Sequence, residues 1–128
     1  MIFKKSWLNV SDSTNVNWIQ IFHLYKGFFR KKTIIGNFVK GSARVVEPPR
    51  LEYKGFKYKY NIKGDICRGL IVRTSYKILK NDGSSVYFKN NNIILIRKKQ
   101  DLKSKYVYGP TTKRIRRKRF STLFRFVL

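Results

Sequence analysis

Apolar and polar positions alternate along most of the chain, the two-residue period of strands with one buried side. Over residues 38–46, Val39, Gly41, Ala43 and Val45 share one face, and Lys40, Ser42 and Arg44 take the other. Pro48 and Pro49 end that strand, because proline has no N–H to donate to a ladder. Upstream, residues 16–25 are rich in β-branched and aromatic side chains and predict a long strand, entered through the turn-prone Ser11-Asp12-Ser13-Thr14-Asn15. Residues 27–33 follow as a basic loop. Residues 53–60 set Phe56, Tyr58 and Tyr60 opposite Lys57 and Lys59, the pattern of an extra hairpin. Gly64-Asp65 marks a turn, and residues 66–74 read as a strand whose Leu70-Ile71-Val72 centre is apolar on both sides. Asn81-Asp82-Gly83 is the strongest hairpin signal, joining 78–80 to 86–89, and 93–97 is the last strand.

The period changes near the end. Pro110 suits a first helical position, and Phe120, Leu123, Phe124 and Val127 recur at i, i+3, i+4 and i+7, predicting a docked helical face. No internal repeat or long linker divides the chain. The expectation is therefore one domain over 1–128, with a β body over 1–108, an insertion near 52–60, and a basic helical region over 109–128.

Composition changes the picture through charge. Thirty Lys plus Arg against six Asp plus Glu give a formal charge of +24, several times the magnitude of about 2 to 8 that solubility asks of a small domain. A polyanion is the expected partner. Hydrophobic residues at 42% and aromatics at 16% are too many for a disordered basic tail, so a core lies under the charge. Self-repulsion opposes its compaction and makes the fold lean on its anion. Lys and Arg interleaved with Tyr and Phe neutralise phosphates while rings and guanidinium planes stack on unpaired bases, which points to RNA and places the 53–60 hairpin on it.

Other classes fall away. A lone cysteine, Cys67, and a lone histidine, His23, provide neither an internal disulfide nor a four-ligand Cys/His zinc site. His23 in an aromatic strand reads as a packed or surface residue, and Cys67 as structural, so no catalytic residue, metal or cofactor is assigned. Neither phosphate-cradling glycine signature occurs. The longest aliphatic run, 93–96, is far short of the ~20 residues of a spanning helix, and residues 1–10 have the pattern of neither a signal nor a transit peptide. The run 113–119 also fits a nuclear localisation signal, and the 120–127 amphipath an anionic lipid surface, both weaker readings than RNA. Phe, Tyr, Asn, Ile and Lys, the residues of A/T-rich codons, make up 59 of 128 positions, and Ala43 is the sole alanine. That bias fits an organelle genome, with an A/T-rich bacterium as the alternative.

In order, these pieces resemble the bacterial-type large-subunit ribosomal proteins of family fourteen. Met1-Ile2 and Leu8-Asn9-Val10-Ser11-Asp12-Ser13 look like that family's N-terminal strand and turn, and residues 63–74 are similar to its most recognisable strand. The family spacing continues through Gly69-Leu70-Ile71-Val72, Asp82-Gly83, Phe88, Asn91 and Ile94-Leu95 to Tyr108-Gly109-Pro110-Thr111-Thr112-Lys113-Arg114. Departures are Asn15 and Val16 in place of small residues, Ile94 in place of Val, the 52–60 insertion, and Ile115 where the family has an acid.

The resemblance implies a mainly β protein: a small five-stranded β-barrel with a projecting β-ribbon and short C-terminal helices. It implies a structural constituent of the large ribosomal subunit, bound to large-subunit rRNA, touching neighbouring ribosomal proteins and a ribosome silencing factor, and forming a bridge to small-subunit rRNA. Carried over, rRNA contacts fall to Arg30, Lys31, Lys32, Arg73, Lys77, Lys80, Lys89, Arg97, Lys98 and Lys99. The intersubunit bridge falls to Gly109, Pro110, Thr111, Thr112, Lys113, Arg114, Arg116 and Arg117. The more basic C-terminus fits a diverged organellar rRNA, mitochondrial ahead of plastid. The rival from another class is a free-standing RNA-binding regulator built on a small β-barrel.

Overall fold

The computed structural model describes residues 1–27, 29–48, 61–99, 101–104, 106–115 and 118–128, with Lys118 and Arg119 described in backbone only. The 52–60 insertion with its Phe56, Tyr58 and Tyr60 face, and Arg116 and Arg117, lie outside the described residues.

Five strands close a barrel in the order β2 (Trp7–Val10), β3 (Val16–His23), β5 (Phe38–Val46), β6 (Ile66–Arg73) and β9 (Asn92–Ile96). Neighbours pair antiparallel except at the seam, where β2 meets β9 in parallel through Asn9↔Asn92 and Val10↔Ile93. Closure leaves no sheet edge open in the barrel. Two short pairs stand outside it: β1 (Ile2–Phe3) with β4 (Lys32–Thr33), and the ribbon β7 (Ile78–Leu79) with β8 (Ser85–Val86). Lys32, expected in a loop, is thus part of a strand pair.

The alternation of β5 holds for Val39, Gly41 and Ala43 and then slips. The pairing steps from Ile19↔Ala43 to Trp18↔Val45, so β5 carries one extra residue there. This bulge turns Val45 outward and lets Val46 pack on the core. β3 stops at His23, short of the expected 25, because Tyr25 and Lys26 adopt left-handed backbone. The centre of β6 is buried on both sides as read, and so is all of Ile93–Ile96. At the ribbon, Gly83 alone of Asn81-Asp82-Gly83 takes positive φ, 89°. The Gly83 N–H donates to Lys80 O and the Lys80 N–H to Ser84 O, giving a three-residue loop that needs glycine at its last position.

The C-terminal helix is much shorter than its periodicity predicts. Among the described residues only Lys118–Ser121 is helical (α1), after which the chain extends so that Val127 bridges Thr111. Phe120 and Phe124 are buried, but Leu123 and Val127 are about two-fifths exposed, at 40% and 36%. Docking is achieved, by a single turn and an extended tail. Phe120, Phe124 and Ile115 join the barrel's hydrophobic cluster, and Phe120 meets Phe38 edge-on with ring centroids 6.2 Å apart.

Candidate nucleic-acid interface

The segment after the barrel is tied down before it presents its charges. Arg73, at the end of β6, donates from Nη1 to the carbonyls of Tyr108 and Pro110, both at 2.9 Å. Thr111 Oγ1 donates to Val72 O at 3.0 Å, and the Thr111 backbone exchanges bonds with Phe126 and Leu128. Ile115 N–H closes a turn on Thr112 O, and the buried Ile115 side chain anchors it. Lys113 and Arg114 are left exposed at the tip. Gly109 has φ of 83°, and a Cβ there would lie 2.8 Å from Arg73 Cζ, so only glycine fits over that guanidinium.

The expected site residues therefore separate. Gly109, Lys113 and Arg114 are exposed and Pro110 is half-buried, but Thr111 and Thr112 are buried and hold the segment from inside. Arg73, expected to touch rRNA, is half-buried and turned onto the chain's own carbonyls, and that burial lowers its pKa from the usual arginine value. Lys31, Lys32, Lys77, Lys80, Lys89, Arg97, Lys98 and Lys99 are all exposed, and Arg30 is half-buried with its Nε donating to Lys32 O. A concavity of about 900 Å³ lies between the turn and the ribbon, and its lining brings Lys80 together with Lys113, Arg114 and Lys26. Lys26, Lys40, Arg68 and Lys103 are not among the contacts the sequence points to: Lys26 is exposed and the other three are half-buried, their placement depends on partners far along the chain, and alternation gives only the hint that Lys40 sits on the polar face of β5.

The chemistry-bearing singletons have ordinary explanations. His23 is exposed and meets Tyr25 edge-on at 4.6 Å between centroids. Cys67 is buried, and burial pushes its thiol pKa up, against the pull of Lys103. Asp12 is the informative acid: its Oδ2 accepts from Leu95 N–H at 2.8 Å, and its Oδ1 accepts from both the N–H and hydroxyl of Thr14. It thereby pins the turn after β2 to β9, next to the parallel seam. Among the described residues, no three His, Cys, Asp or Glu side chains are grouped to hold a metal ion.

A closed barrel with cationic loops, a tied-down basic turn and exposed aromatics at Trp7, Trp18, Tyr87 and Tyr108 is a basic β-barrel whose surface chemistry suits a polyanion. Residues 1–126 match the family described as ribosomal protein L14p/L23e. The chain is also 35% identical over 124 residues, 97% of each chain, to the large ribosomal subunit protein uL14m of Tetrahymena pyriformis. The chain belongs to the ribosomal protein L14p/L23e family.

Proposed function

We propose that this chain is a structural, non-enzymatic constituent of the large subunit of a mitochondrial ribosome, binding rRNA and contributing to an intersubunit bridge. The observation that carries the reading is family membership across 1–126, together with uL14m as a relative of matching length. The net charge of +24 supports rRNA as the main partner, and neighbouring ribosomal proteins complete its surroundings. In this reading the exposed cations of the 30–32 loop, of the ribbon (Lys77, Lys80, Lys89) and of 97–99 hold large-subunit rRNA. The turn carrying Lys113 and Arg114, continued by Arg116 and Arg117, reaches small-subunit rRNA. Arg73, Thr111 and Thr112 position that turn from within. A ribosome silencing factor would approach this same face. The A/T-rich codon bias supports a gene in the organelle's own genome.

The test is sedimentation of a native mitochondrial extract at magnesium low enough to part the subunits, with the chain followed by mass spectrometry after a high-salt wash. Stoichiometric, wash-resistant recovery with the large subunit is expected. Recovery at the top of the gradient would instead identify a free-standing RNA-binding regulator.

A further inference from the structure

Lys40 and Arg68 face each other directly across the β5–β6 pair. Like charges opposite one another on a sheet repel, so this pairing calls for an anion between or beside them. The same row continues to His23, the partner of Lys40 on β3. Just beyond β3 the buried Leu24 anchors the chain, and Tyr25 and Lys26 then take φ of 57° and 60°, backbone that bulky residues rarely adopt. This turn brings Tyr25 back toward the charged row. Its ring centroid lies 5.6 Å from Arg68 Cζ and 5.9 Å from Lys40 Nζ, and the Phe38 ring lies 4.8 Å from the same guanidinium. The Arg68 guanidinium thereby lies over both rings, with its Nε buried and without a hydrogen-bond partner.

Tyr25, Lys40 and Arg68 line a cleft of about 650 Å³, to which Arg97, Lys98 and Lys103 add their charges. Five cations and a tyrosine ring thus face one concavity, and no carboxylate is among its described lining residues. Asp12 and Asp65 act on Cys67, which is part of the lining, but are not themselves among the lining residues, and Lys103 is held by the neutral Asn61 side chain.

We propose that this cleft takes one unpaired nucleotide of an RNA strand, its phosphate on Lys40, Arg68, Lys98 and Lys103 and its base beside Tyr25. The volume is that of a pocket for a small ligand, and the phosphates of a duplex lie on a convex rod that does not enter it. An acidic peptide would satisfy the charges but leave the Tyr25 ring and the Arg68 guanidinium at the cleft without a use. Ring and guanidinium planes are the surfaces on which unpaired bases stack. The proposal rests on the reading of the chain as an rRNA-binding protein and adds a site outside both the ribbon and the C-terminal turn.

The experiment uses the full chain and a short single-stranded oligouridylate carrying 4-thiouridine, with affinity read by anisotropy and cross-links mapped by mass spectrometry. Two variants of equal charge loss are compared at one salt concentration: Lys40→Ala with Lys103→Ala, and Lys113→Ala with Arg114→Ala. The cleft pair is expected to weaken binding by about tenfold and the other pair much less, with wild-type cross-links on Tyr25 or its neighbours. Tyr25→Phe should keep the affinity and Tyr25→Ala should lose it, each variant melting as the wild type does. Equal losses from the two pairs, or cross-links only elsewhere, would overturn the proposal. So would displacement of the strand by free uridine monophosphate at matching nucleotide concentration, which would mark a free-nucleotide site, or equal competition by polyglutamate, which would mark an acidic peptide. A cleft that binds no RNA in a chain still recovered with the large subunit sinks this site alone. A cleft that binds RNA in a chain absent from the subunit sinks the ribosomal reading alone.

Discussion

Arg73 spends its guanidinium on the chain itself, and the consequences are confined to a few atoms. Its two bonds hold the carbonyls on either side of Gly109, and Gly109 leaves no room for a Cβ against Arg73 Cζ. Gly109→Ala is therefore expected to lower stability by about 1–3 kcal/mol, from the left-handed backbone and the displaced arginine together, read as a shift in urea midpoint. An unchanged midpoint would contradict the clasp. Asp12 gives a second residue-scale prediction. Burial raises its carboxyl above the usual 3.8, with the bonds from Thr14 and Leu95 and the charge of Lys103 pulling the other way. An acid whose folded pKa exceeds its unfolded one contributes stability that is full below the unfolded value and is lost as pH rises through the folded one. Urea midpoints from about pH 3 to 7 should thus show wild type losing stability relative to Asp12→Asn as pH climbs above 3.8, and parallel curves would refute the shift. At this scale the sequence showed which residues carry charge but not where they point. Arg73 reads as one more exposed cation because the carbonyls it holds lie 35 and 37 residues further along the chain.

Among elements, the barrel strands β3, β5, β6 and β9 are legible in the sequence, and β4, read as loop, and the short C-terminal helix are not, for physical reasons. Apolar spacing at Phe120, Leu123, Phe124 and Val127 fits a helix, but the tail has a stronger use for its backbone. Thr111 N–H donates to Phe126 O and Leu128 N–H to Thr111 O, which holds the end extended. The helix start is also poor, since α1 has no acid in its first turn to complement the positive end of its dipole. Period alone likewise did not reveal the β5 bulge, which exists only in the pairing with β3. What the tail does is seal the barrel: Phe120→Ala, removing a 1%-exposed ring from against Phe38, should cost about 3–5 kcal/mol in thermal or urea unfolding. A loss below 1 kcal/mol would mean that the tail does not belong to the cooperative unit. The turn that the tail supports can be tested separately. Replacing Lys113, Arg114, Arg116 and Arg117 by Ala should weaken joining of the subunits more than incorporation into the large subunit, both read on gradients. Equal losses would remove the bridge from this segment.

For the molecule as a whole, charge sets two responses to salt that run in opposite directions. A chain of 128 residues carrying +24 repels itself when folded, and the described cations cluster on loops, the ribbon and the cleft, where carboxylates are few. Raising salt shortens the Debye length from about 30 Å at 0.01 M to 8 Å at 0.15 M, so the free protein should melt at a higher temperature as neutral salt is added over that range. Binding to rRNA should respond the other way, because each neutralised phosphate releases counterions. For roughly 6 to 10 contacts the logarithm of the association constant should fall with the logarithm of salt concentration by a slope of several units. The pair of measurements is more discriminating than either alone. A protein held together mainly by its apolar core would show the affinity slope without the melting shift. One whose cations were already neutralised internally would show neither. An rRNA fragment added at low salt should raise the melting temperature beyond anything salt achieves, provided it binds the folded state, where the cations are fixed in place, more tightly than the equally charged unfolded chain. If the fragment leaves melting unchanged while still binding, the charged surface is not what limits this fold.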